Sequence, residues 1–565
     1  MVTPNIWGQG QLFAFSALDG TSHIAGDFVG TLSGDKVGIR FHSKVIRELA
    51  VVNLQGMDPV FETVASDMIL LNTNCGQISI VYADTNTIIG TVPSPAAVIA
   101  LCEGRHTVTA DGCITVQNTG DGEYTALMTQ GDRFAFAFGS SEAEVRQKVR
   151  KGMQMDADAV IGKKRAFFEK NGLPEDHPYA MLCAKCLSVM KSQLYSPEGR
   201  FRRIWSTPDR LPHMNLWLWD SVFHAIGHSN IDPALAEELI LAVLDAQQEN
   251  GFIPHMATPS LTSGITQPPV IGWGAWLVYQ RSKNLAFLQR ILDGNKMFLL
   301  WCRAHRRDTD EELYTWQTKN EERCRCDECG MDNSPRFDRI TRLQAIDFSC
   351  FMANDTRFMA RIAAELGDEE NAAFFTNWHD AIKADINRKL WCQEDGFYYD
   401  YDLSSKALHK VRSVASFLPI FAGVCSKAQC DSLVACLNDP NAFGSAFAVP
   451  SISKQDATYG SDMWRGPVWL NYNYMLIEGL KQYGELELAE KLLENTLAVV
   501  NEWYLKTGTV YEFYDPENKK APPLLNRKGL PFEPYDFTVR YQSIRDYGWT
   551  ATLTLDMIKK ETPCG

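Results

Sequence analysis

The sequence lacks both a long apolar run and a strongly basic region. No run of about 18 apolar residues, the length that a membrane-spanning helix requires, occurs in it. The stretch from Met1 to Gly8 has no basic segment followed by an apolar one, the pattern of a secretory signal. Its 55 Lys and Arg residues are outnumbered by 69 Asp and Glu residues, for a net charge of −14. This balance disfavours nucleic acid or an anionic membrane as the main partner, so we expect a ligand that is a small neutral or weakly acidic molecule. Because the sequence has no export signal, we expect a cytoplasmic protein.

The chain has fifteen cysteines, an odd number that, without an export signal, favours free thiols in a reducing compartment. Cys183 and Cys186 lie in a helical pattern, where they are best explained as small buried apolar side chains. Another group precedes Asp332 and consists of Cys324, Cys326 and Cys329. Zinc sites usually present two cysteine pairs, so metal binding by this group, with Cys302 or a histidine as fourth ligand, stays open. We predict no metal and no cofactor for the chemistry.

Residues 1–140 carry the period-two pattern of strands with one buried face. Phe134, Phe136 and Phe138, for example, alternate with smaller or charged residues. The dipeptide Asp111-Gly112 separates two such segments and predicts a hairpin. Short strands with Gly and Asp turns predict an antiparallel β-sandwich as the first domain, 1–140.

From Ser141 onwards the period becomes helical. Residues 141–174 predict a connecting helix, and 175–565 contain about twelve helical segments, paired through loops rich in aromatic residues. Asp232-Pro233 predicts the start of a helix that ends at Asn250-Gly251. We therefore predict a multidomain protein in which the β-sandwich is followed by an all-α toroid of six helical hairpins.

Three loops of the helical part, which contain Asp220, His255 and Gln267, have the side chains that sugars require. Trp217 and Trp219 stand just before Asp220. Aromatic faces pack on the C–H faces of a sugar ring, and a carboxylate binds vicinal hydroxyls. Gln267 precedes two prolines that stiffen its loop, so it presents a donor and an acceptor in fixed orientation. His255 fits a hydroxyl ligand or a helix cap. The tryptophans equally fit a buried structural role.

Arg465 lies between Trp464 and Trp469, where it is either a stacked structural cation or a clamp for a ligand. This loop is the fourth candidate for binding sugar.

Two carboxylates on separate loops are the candidates for catalysis. Asp332 lies between Gly330 and the turn residues Asn333-Ser334-Pro335, and Glu512 lies between two aromatic residues. Glycoside cleavage needs one protonated acid for the leaving oxygen and one ionised base for water. An Asx-turn in which Asp332 bonds its own backbone is the structural alternative. The competing base candidates in more polar surroundings are Asp515, Glu517 and Glu533.

Taken together and in order, these segments resemble glycoside hydrolase family 63, with family 37 trehalases more distantly similar. The matching motifs are Trp-Leu-Trp-Asp at 217–220, Gly-Phe-Ile-Pro-His-Met at 251–256, Gln-Pro-Pro at 267–269, Gly-Met-Asp-Asn-Ser-Pro-Arg at 330–336, Trp-Arg-Gly-Pro-Val-Trp at 464–469 and Tyr-Glu-Phe-Tyr at 511–514. The resemblance covers roughly residues 175 to 560.

The resemblance implies an (α/α)6 toroid and an inverting, exo-acting α-glycosidase. Asp332 matches the general acid, which needs a raised pKa, and Glu512 matches the general base. Inversion predicts a separation of roughly 6.5 to 9.5 Å between the two carboxyl groups. The candidates for binding substrate are Trp217, Trp219, Asp220, His255, Gln267, Arg336, Trp464 and Arg465.

The chain departs from its relatives at the acid loop and before the proline pair. This chain has Ile265-Thr266 before Gln267, where the resemblance to trehalases would imply Arg-Ser. Trehalose is therefore doubtful as the substrate. This chain has Asp327-Glu328-Cys329 in the acid loop, where the resemblance to the members that cleave mannosylglycerate or glucosylglycerate would imply Trp-Glu-Ser. The identity of the leaving group therefore stays open. The first 140 residues are also unlike those small members and resemble the sandwich that precedes toroids in related α-glucosidases.

The function expected is hydrolysis of a small soluble α-glucoside or α-mannoside, with the oligomeric state left open. One alternative is a phosphorolytic or epimerising sugar enzyme on the same fold. Arg200, Arg202 and Arg203 would then hold a phosphate or a substrate carboxylate, although a solvated surface run explains them too. A second alternative is a carbohydrate-binding protein without catalysis.

Overall fold

The computed structural model describes residues 1–26, 28–527 and 542–561. Its N-terminal part is built from strands β1 (Leu12–Phe13), β2 (Gly30–Leu32), β3 (Gly38–Phe41), β4 (Arg47–Val52), β5 (Val60–Ala65), β6 (Met68–Thr73), β7 (Gly76–Asp84), β8 (Thr87–Thr91), β9 (Ala97–Cys102), β10 (Thr107–Asp111), β11 (Ile114–Asn118), β12 (Tyr124–Gln130) and β13 (Arg133–Gly139). The strands form two antiparallel sheets, of order β1-β2-β3-β4-β9 and β10-β11-β12-β13-β8-β7-β6-β5. The predicted hairpin is confirmed, since β10 pairs with β11 and Asp111 lies opposite Ile114.

The two sheets pack face to face over an apolar core. Phe134 and Phe136 of β13 point into this core together with Ile39 and Leu49 of the smaller sheet. The expectation of one buried face per strand is wrong for β13, because Ala135 on its other face is also buried, against helices that follow in the chain.

Two helices rather than one connect the sheets to the helical part. They are α1 (Glu142–Gln154) and α2 (Ala157–Asn171), and both pack on the outer face of the larger sheet. Met155 is extended, and the Asp156 side chain caps α2 by accepting from the N–H groups of Asp158 and Ala159. This cap separates the two helices, which the continuous charged pattern did not indicate.

The described residues beyond 175 contain twelve α-helices, as the periodicity predicts. They are α3 (Ala180–Ser192), α4 (Leu218–His228), α5 (Pro233–Asp245), α6 (Ile271–Ser282), α7 (Leu285–His305), α8 (Ile346–Glu365), α9 (Glu369–Asp385), α10 (Leu418–Ala422), α11 (Lys427–Asn438), α12 (Leu470–Gln482), α13 (Leu486–Thr507) and α14 (Gly548–Glu561). Helices α4, α6, α8, α10, α12 and α14 contact one another in that cyclic order, and α14 returns to α4. Among the described residues, no helix has the length and apolarity needed to cross a membrane.

The cap that the sequence predicts for α5 is present, but the helix is shorter than expected. The Asp232 side chain accepts from the N–H groups of Ala234 and Leu235. The helix ends at Asp245 rather than at Asn250, because Ala246 turns back to bond the Val243 carbonyl.

Short antiparallel strands join the helices. They are β14 (Leu194–Tyr195), β15 (Trp205–Ser206), β16 (Leu216–Trp217), β17 (Met256–Ala257), β18 (Thr315–Gln317), β19 (Arg342–Gln344), β20 (Trp391–Cys392), β21 (Phe397–Tyr398), β22 (Asp400–Asp402) and β23 (Ala407–His409). The pairing of β16 with β17 matters most for the site, since it brings Trp217 opposite Met256.

A buried charge network joins the sheets to the helices. Asp67, between β5 and β6, bonds Lys164 of α2 at 2.6 Å and Lys191 of α3 at 2.8 Å. Burial alone would raise the pKa of Asp67, but the two lysines hold it well below its usual range. Loss of one member would strand the others without compensation, so the network fixes how the two parts of the chain sit together.

Candidate active site

A cavity of about 220 Å³ lies where the inner helices begin. Its walls come from the segments just before or at the start of α4, α6, α8, α12 and α14. The residues that line it are Pro208, Pro212, His213, Asn215, Trp217, Trp219, Asp220, His255, Met256, Gln267, Arg325, Asp327, Gly330, Asp332, Met463, Trp469, Glu512, Arg527, Tyr547 and Trp549. Within the described part of the chain, no residue of the two N-terminal sheets lines it. The cavity thus brings together Asp332 and Glu512, which are 180 positions apart in the sequence.

One wall is aromatic and is held by β16 and the proline-stiffened loop. The Trp217 and His255 rings meet edge to face at 5.0 Å. The backbone N–H of Trp219 donates to the side-chain oxygen of Gln267 at 3.2 Å. The predicted binders Trp217, Trp219, His255 and Gln267 therefore all lie at the cavity, although Gln267 also has a structural bond there.

His255 is uncharged near neutral pH. Burial lowers its pKa to about 4, against the opposing pull of the Asp327 and Glu328 carboxylates. Its Nδ1 lies 2.5 Å from the Ser263 hydroxyl. A neutral imidazole beside a tryptophan suits a hydroxyl group better than an anion.

Asp220 lies in the first turn of α4 and is almost fully buried. Burial raises the pKa of its carboxyl group well above the usual value, and the charges of Asp209, Glu512 and Asp332 act in the same direction. Its Oδ1 atom has no hydrogen-bond partner among the described residues, and neither has the indole nitrogen of Trp217 or of Trp549. Buried polar atoms are costly when unpartnered, so these three define a surface that favours a ligand rich in hydroxyl groups.

Asp332 lies on a tight loop that starts in a short 3-10 helix, Asp327–Cys329. The N–H of Cys326 donates to the backbone carbonyl of Asp332 at 2.8 Å and closes the loop. Gly330 has φ +77°, and a Cβ there would come within 2.4 Å of the Trp219 ring. Only glycine therefore fits between this loop and the aromatic wall.

An arginine that sequence reasoning missed holds the Asp332 side chain. Arg325 donates from Nη2 to Oδ2 of Asp332 at 2.9 Å and also bonds Asp327. Burial opposes the charge of Arg325, but the carboxylates of Asp332 and Asp327 outweigh it and raise the pKa of the guanidinium. Arg325 stands seven positions before Asp332, so its place in the same loop was the available signal.

Three residues predicted to bind substrate do not line the cavity and support the acid loop instead. Arg336 is fully buried and bonds both Asp347 and Asp400. Arg465 donates twice to Asp338, at 2.7 and 2.8 Å. Both guanidinium groups are thus engaged by carboxylates inside the protein, and their role as substrate binders stays a prediction.

Trp464 also lies behind the cavity wall. Its ring stacks on Trp469 with centroids 3.9 Å apart and planes within 4°, and Trp469 is the ring that lines the cavity. The backbone N–H of Trp464 donates to Asn333, next to Asp332. The resemblance predicted Trp464 at the cavity surface, whereas its ring lies behind that of Trp469.

Glu512 is buried and has its own arginine. Arg527 donates from Nε to Oε2 at 2.8 Å and from Nη2 to Oε1 at 3.1 Å. Burial disfavours the charge of Arg527, but the Glu512 carboxylate raises the pKa of this guanidinium above its usual value. The backbone N–H of Glu512 donates to the Ile544 carbonyl, which fixes the strand-like segment that presents it. The two hydrogen bonds hold the Glu512 carboxyl group in place at the cavity wall.

The competing base candidates lie elsewhere or outside the described residues. Asp515 accepts from the backbone of Lys519 and Lys520, Glu517 pairs with Lys454, and neither lines the cavity. Glu533 lies outside the described residues.

The arginine cluster that would have supported phosphate binding also lies away from the cavity. Arg203 bonds Asp245 through both Nε and Nη2, and the backbone of Arg202 bonds the same carboxylate. Arg200 does not line the cavity either. The cations at the cavity are Arg325 and Arg527 among the described residues.

The cysteines before Asp332 pack as buried side chains. The Cys329 thiol donates to the Cys326 carbonyl at 3.0 Å and accepts from the N–H of Met331. Within the described part of the chain, no group of three or more His, Cys, Asp or Glu side chains has an arrangement that could hold a metal ion.

Comparison with known proteins places these features in a family. Residues 213–550 match the model of the mannosylglycerate hydrolase MGH1-like glycoside hydrolase domain. Mannosylglycerate hydrolase MGH1 from Selaginella moellendorffii is 24% identical over 389 residues, which are 53% of this chain and 75% of that protein.

Two solved structures share the fold. The family 63 mannosylglycerate hydrolase from Thermus thermophilus, in complex with Tris, superposes with a TM-score of 0.55 at 21% identity over 66% of this chain and 99% of that one. A bacterial glucoamylase in complex with acarbose superposes with a TM-score of 0.58 at 12% identity over 99% of this chain and 96% of that one. The second likeness therefore extends across the N-terminal sheets.

Proposed function

We propose that this chain, which belongs to the MGH1-like glycoside hydrolases of family 63, is an inverting, exo-acting α-glycosidase for a small α-glucoside or α-mannoside. The observation that carries the proposal is that Asp332 and Glu512 line the same small cavity and pair with different arginines, Asp332 with the partly exposed Arg325 and Glu512 with the buried Arg527. A volume of about 220 Å³ lies below the range of about 300–1,000 Å³ usual for drug-sized ligands, which favours a small substrate.

The two carboxyl groups divide the reaction between them. Asp332 gives its proton to the glycosidic oxygen as the bond to the anomeric carbon breaks, and Glu512 takes a proton from the water that attacks the opposite face. The product is the sugar with inverted anomeric configuration. A separation of roughly 6.5 to 9.5 Å between the carboxyl groups remains our prediction for this geometry. The two carboxyl groups carry this mechanism without a cofactor.

The sugar lies, in this proposal, against the Trp217, Trp219 and Trp549 wall. Burial raises the pKa of Asp220 and so favours its protonated form, which can both donate to and accept from sugar hydroxyls. His255 and Gln267 supply further polar contacts from the same wall. The leaving group faces Arg325 and Asp327, at the part of the acid loop where the sequence departs from its relatives.

The (α/α)6 toroid belongs to this proposal as well. The cyclic contact order of α4, α6, α8, α10, α12 and α14 supports an inner ring of six helices. The domain limits at 140 and 175 and the cytoplasmic location stay predictions, which limited proteolysis and cell fractionation would test.

The test is a turnover screen of the purified protein on α-glucosyl and α-mannosyl disaccharides and on glycerate glycosides, with and without phosphate. Proton NMR during the first minutes reads the anomer of the released sugar before mutarotation. We expect the β-anomer of free sugar without phosphate, and no release by Asp332→Asn at the same concentration. Release of the α-anomer, or products that form only with phosphate, would contradict the proposal.

A further inference from the structure

The contact between Arg325 and Asp332 conflicts with the role proposed for Asp332. A general acid must hold a proton, whereas a cation at 2.9 Å favours the ionised carboxylate. The inference that follows rests on the proposed function, because the conflict exists only if Asp332 donates a proton.

Arg325 has a second carboxylate within reach. The same Nη2 atom that donates to Asp332 also bonds Asp327, so the guanidinium lies between two carboxyl groups of one loop. If it moved off Asp332, Arg325 would keep an ion pair with Asp327. Asp332, which is partly exposed, would lose its charge by taking up a proton from solvent, so the movement would leave neither group as an unpaired charge, the usual obstacle to breaking an ion pair.

Of the two arginines at the cavity, Arg325 is the more exposed, and an exposed side chain moves more easily than a buried one. The Arg325 side chain is 37% exposed and bonds Asp332 through one nitrogen, whereas Arg527 is 5% exposed and bonds Glu512 through two. Partly exposed ion pairs contribute little to stability, so Arg325 exchanges partners at small cost.

We propose that Arg325 is a positioning residue that alternates between two carboxylates: it pairs with Asp332 in the resting enzyme and with Asp327 alone when substrate is bound. The glycosidic oxygen of a substrate must come within hydrogen-bond distance of the Asp332 carboxyl group. It therefore competes with Nη2 of Arg325 for that group. Once Arg325 has turned to Asp327, Asp332 takes up the proton that the leaving group needs.

Several other charges face Asp332 from neighbouring elements. Asp220 faces it from α4, and Glu512 and Arg527 face it from the segment before α14. Burial raises the pKa of Asp220, which reduces the charge it contributes, and the charges of Glu512 and Arg527 oppose each other. Arg325 bonds the Asp332 carboxyl group directly and shares that contact with Asp327, so changes at Arg325 or Asp327 act on Asp332 at contact distance.

The inference predicts opposite effects of two substitutions. Arg325→Gln removes the cation, so Asp332 stays protonated to higher pH and the basic limb of kcat/KM moves up by about one pH unit. Asp327→Asn leaves Arg325 wholly to Asp332, so that limb moves to lower pH. Arg325→Lys keeps the charge and returns the limb towards the wild-type position. The matched control is Arg339→Gln, the same charge change at an exposed residue outside the cavity.

A second measurement does not depend on turnover. A water-soluble carbodiimide with glycinamide labels protonated carboxyl groups, and mass spectrometry of the peptide that contains Asp332 gives the pH of half-labelling. We expect this pH to rise in Arg325→Gln, to fall in Asp327→Asn and to stay unchanged in Arg339→Gln.

The two measurements separate the two claims. If the protein cleaves no glycoside, the proposed function fails, and the labelling alone decides whether Arg325 controls the proton on Asp332. If it cleaves glycosides but both variants keep the wild-type pH limb and labelling, or shift them in the same direction, Arg325 only braces the loop and the inference is wrong.

Discussion

Each of the two candidate catalytic carboxyl groups has an arginine beside it, and the two pairs are built differently. Arg527 and Glu512 are both buried and share two hydrogen bonds, whereas Arg325 is partly exposed and is shared between Asp332 and Asp327. A fixed, desolvated pair keeps a carboxylate ionised, and an exchangeable pair lets a carboxyl group change its protonation state. The difference matches the division of labour in inverting hydrolysis, in which the base stays charged and the acid must be protonated.

The largest effects should come from removing either carboxyl group. Asp332→Asn and Glu512→Gln should each reduce kcat on an O-glycoside by several orders of magnitude, since acid–base groups contribute about 10²–10⁴-fold each. Steady-state rates with unchanged circular dichroism would show this. Asp515→Asn, the same change three positions from Glu512 but outside the cavity, is the control and should keep wild-type turnover. Near-normal turnover in either active-site variant would remove that residue from the mechanism.

The two arginines should differ in their effect on stability. Arg527→Met leaves Glu512 buried without its partner and should cost about 3–5 kcal/mol in the free energy of unfolding. Arg325→Met breaks a partly exposed pair and should cost about 1 kcal/mol or less. Urea unfolding of the two variants measures the difference directly. Equal losses in the free energy of unfolding would contradict the distinction between a buried, fixed pair and a partly exposed, exchangeable one.

Asp220 should be tolerant of a change that keeps its hydrogen bonding. Burial raises the pKa of Asp220. Asp220→Asn keeps a hydrogen-bond donor and acceptor at this position and should lose less kcat/KM than Asp220→Ala. Loss of hydrogen bonds to a hydroxyl costs about 1–3 kcal/mol, which is roughly tenfold to hundredfold for the alanine variant. The comparison needs kcat/KM for both variants on one substrate. If asparagine were as damaging as alanine, Asp220 would act as a charged group.

Much of the fold could be predicted from local patterns. The Asp111-Gly112 hairpin and the Asp232 cap follow from turn and cap chemistry that involves only neighbouring residues. The second buried face of β13 could not be predicted, because it depends on where α1 and α2 pack after the sheet has formed.

The sequence could indicate which candidate acids and aromatic side chains line the cavity, but not which ion pairs hold them. Asp332, Glu512, Trp219 and Asp220 belong to short motifs, and all four line the cavity. Arg336 belongs to such a motif too, yet it lies behind the cavity. A motif can indicate that a residue belongs to the region of the site. Whether an arginine in that motif reaches the cavity depends on the carboxylates that it contacts from other segments, as Arg336 does with Asp347 and Asp400.

Arg527 illustrates the opposite error. It lies fifteen positions after Glu512, beyond Pro516 and Pro522-Pro523, and outside the motifs that carry the family resemblance. Its role depends on its contact with Glu512 in the folded chain, and no local signal could indicate that contact.

The most direct test of the division between acid and base uses two leaving groups. Fluoride needs little protonation to leave, whereas an alkoxide needs a general acid. On an α-glycosyl fluoride, Asp332→Asn should recover most of the turnover that it loses on the matching O-glycoside, while Glu512→Gln should be impaired equally on both. If Asp332→Asn were impaired to the same degree on both substrates, Asp332 would not be the acid and the comparison between the two pairs would lose its basis.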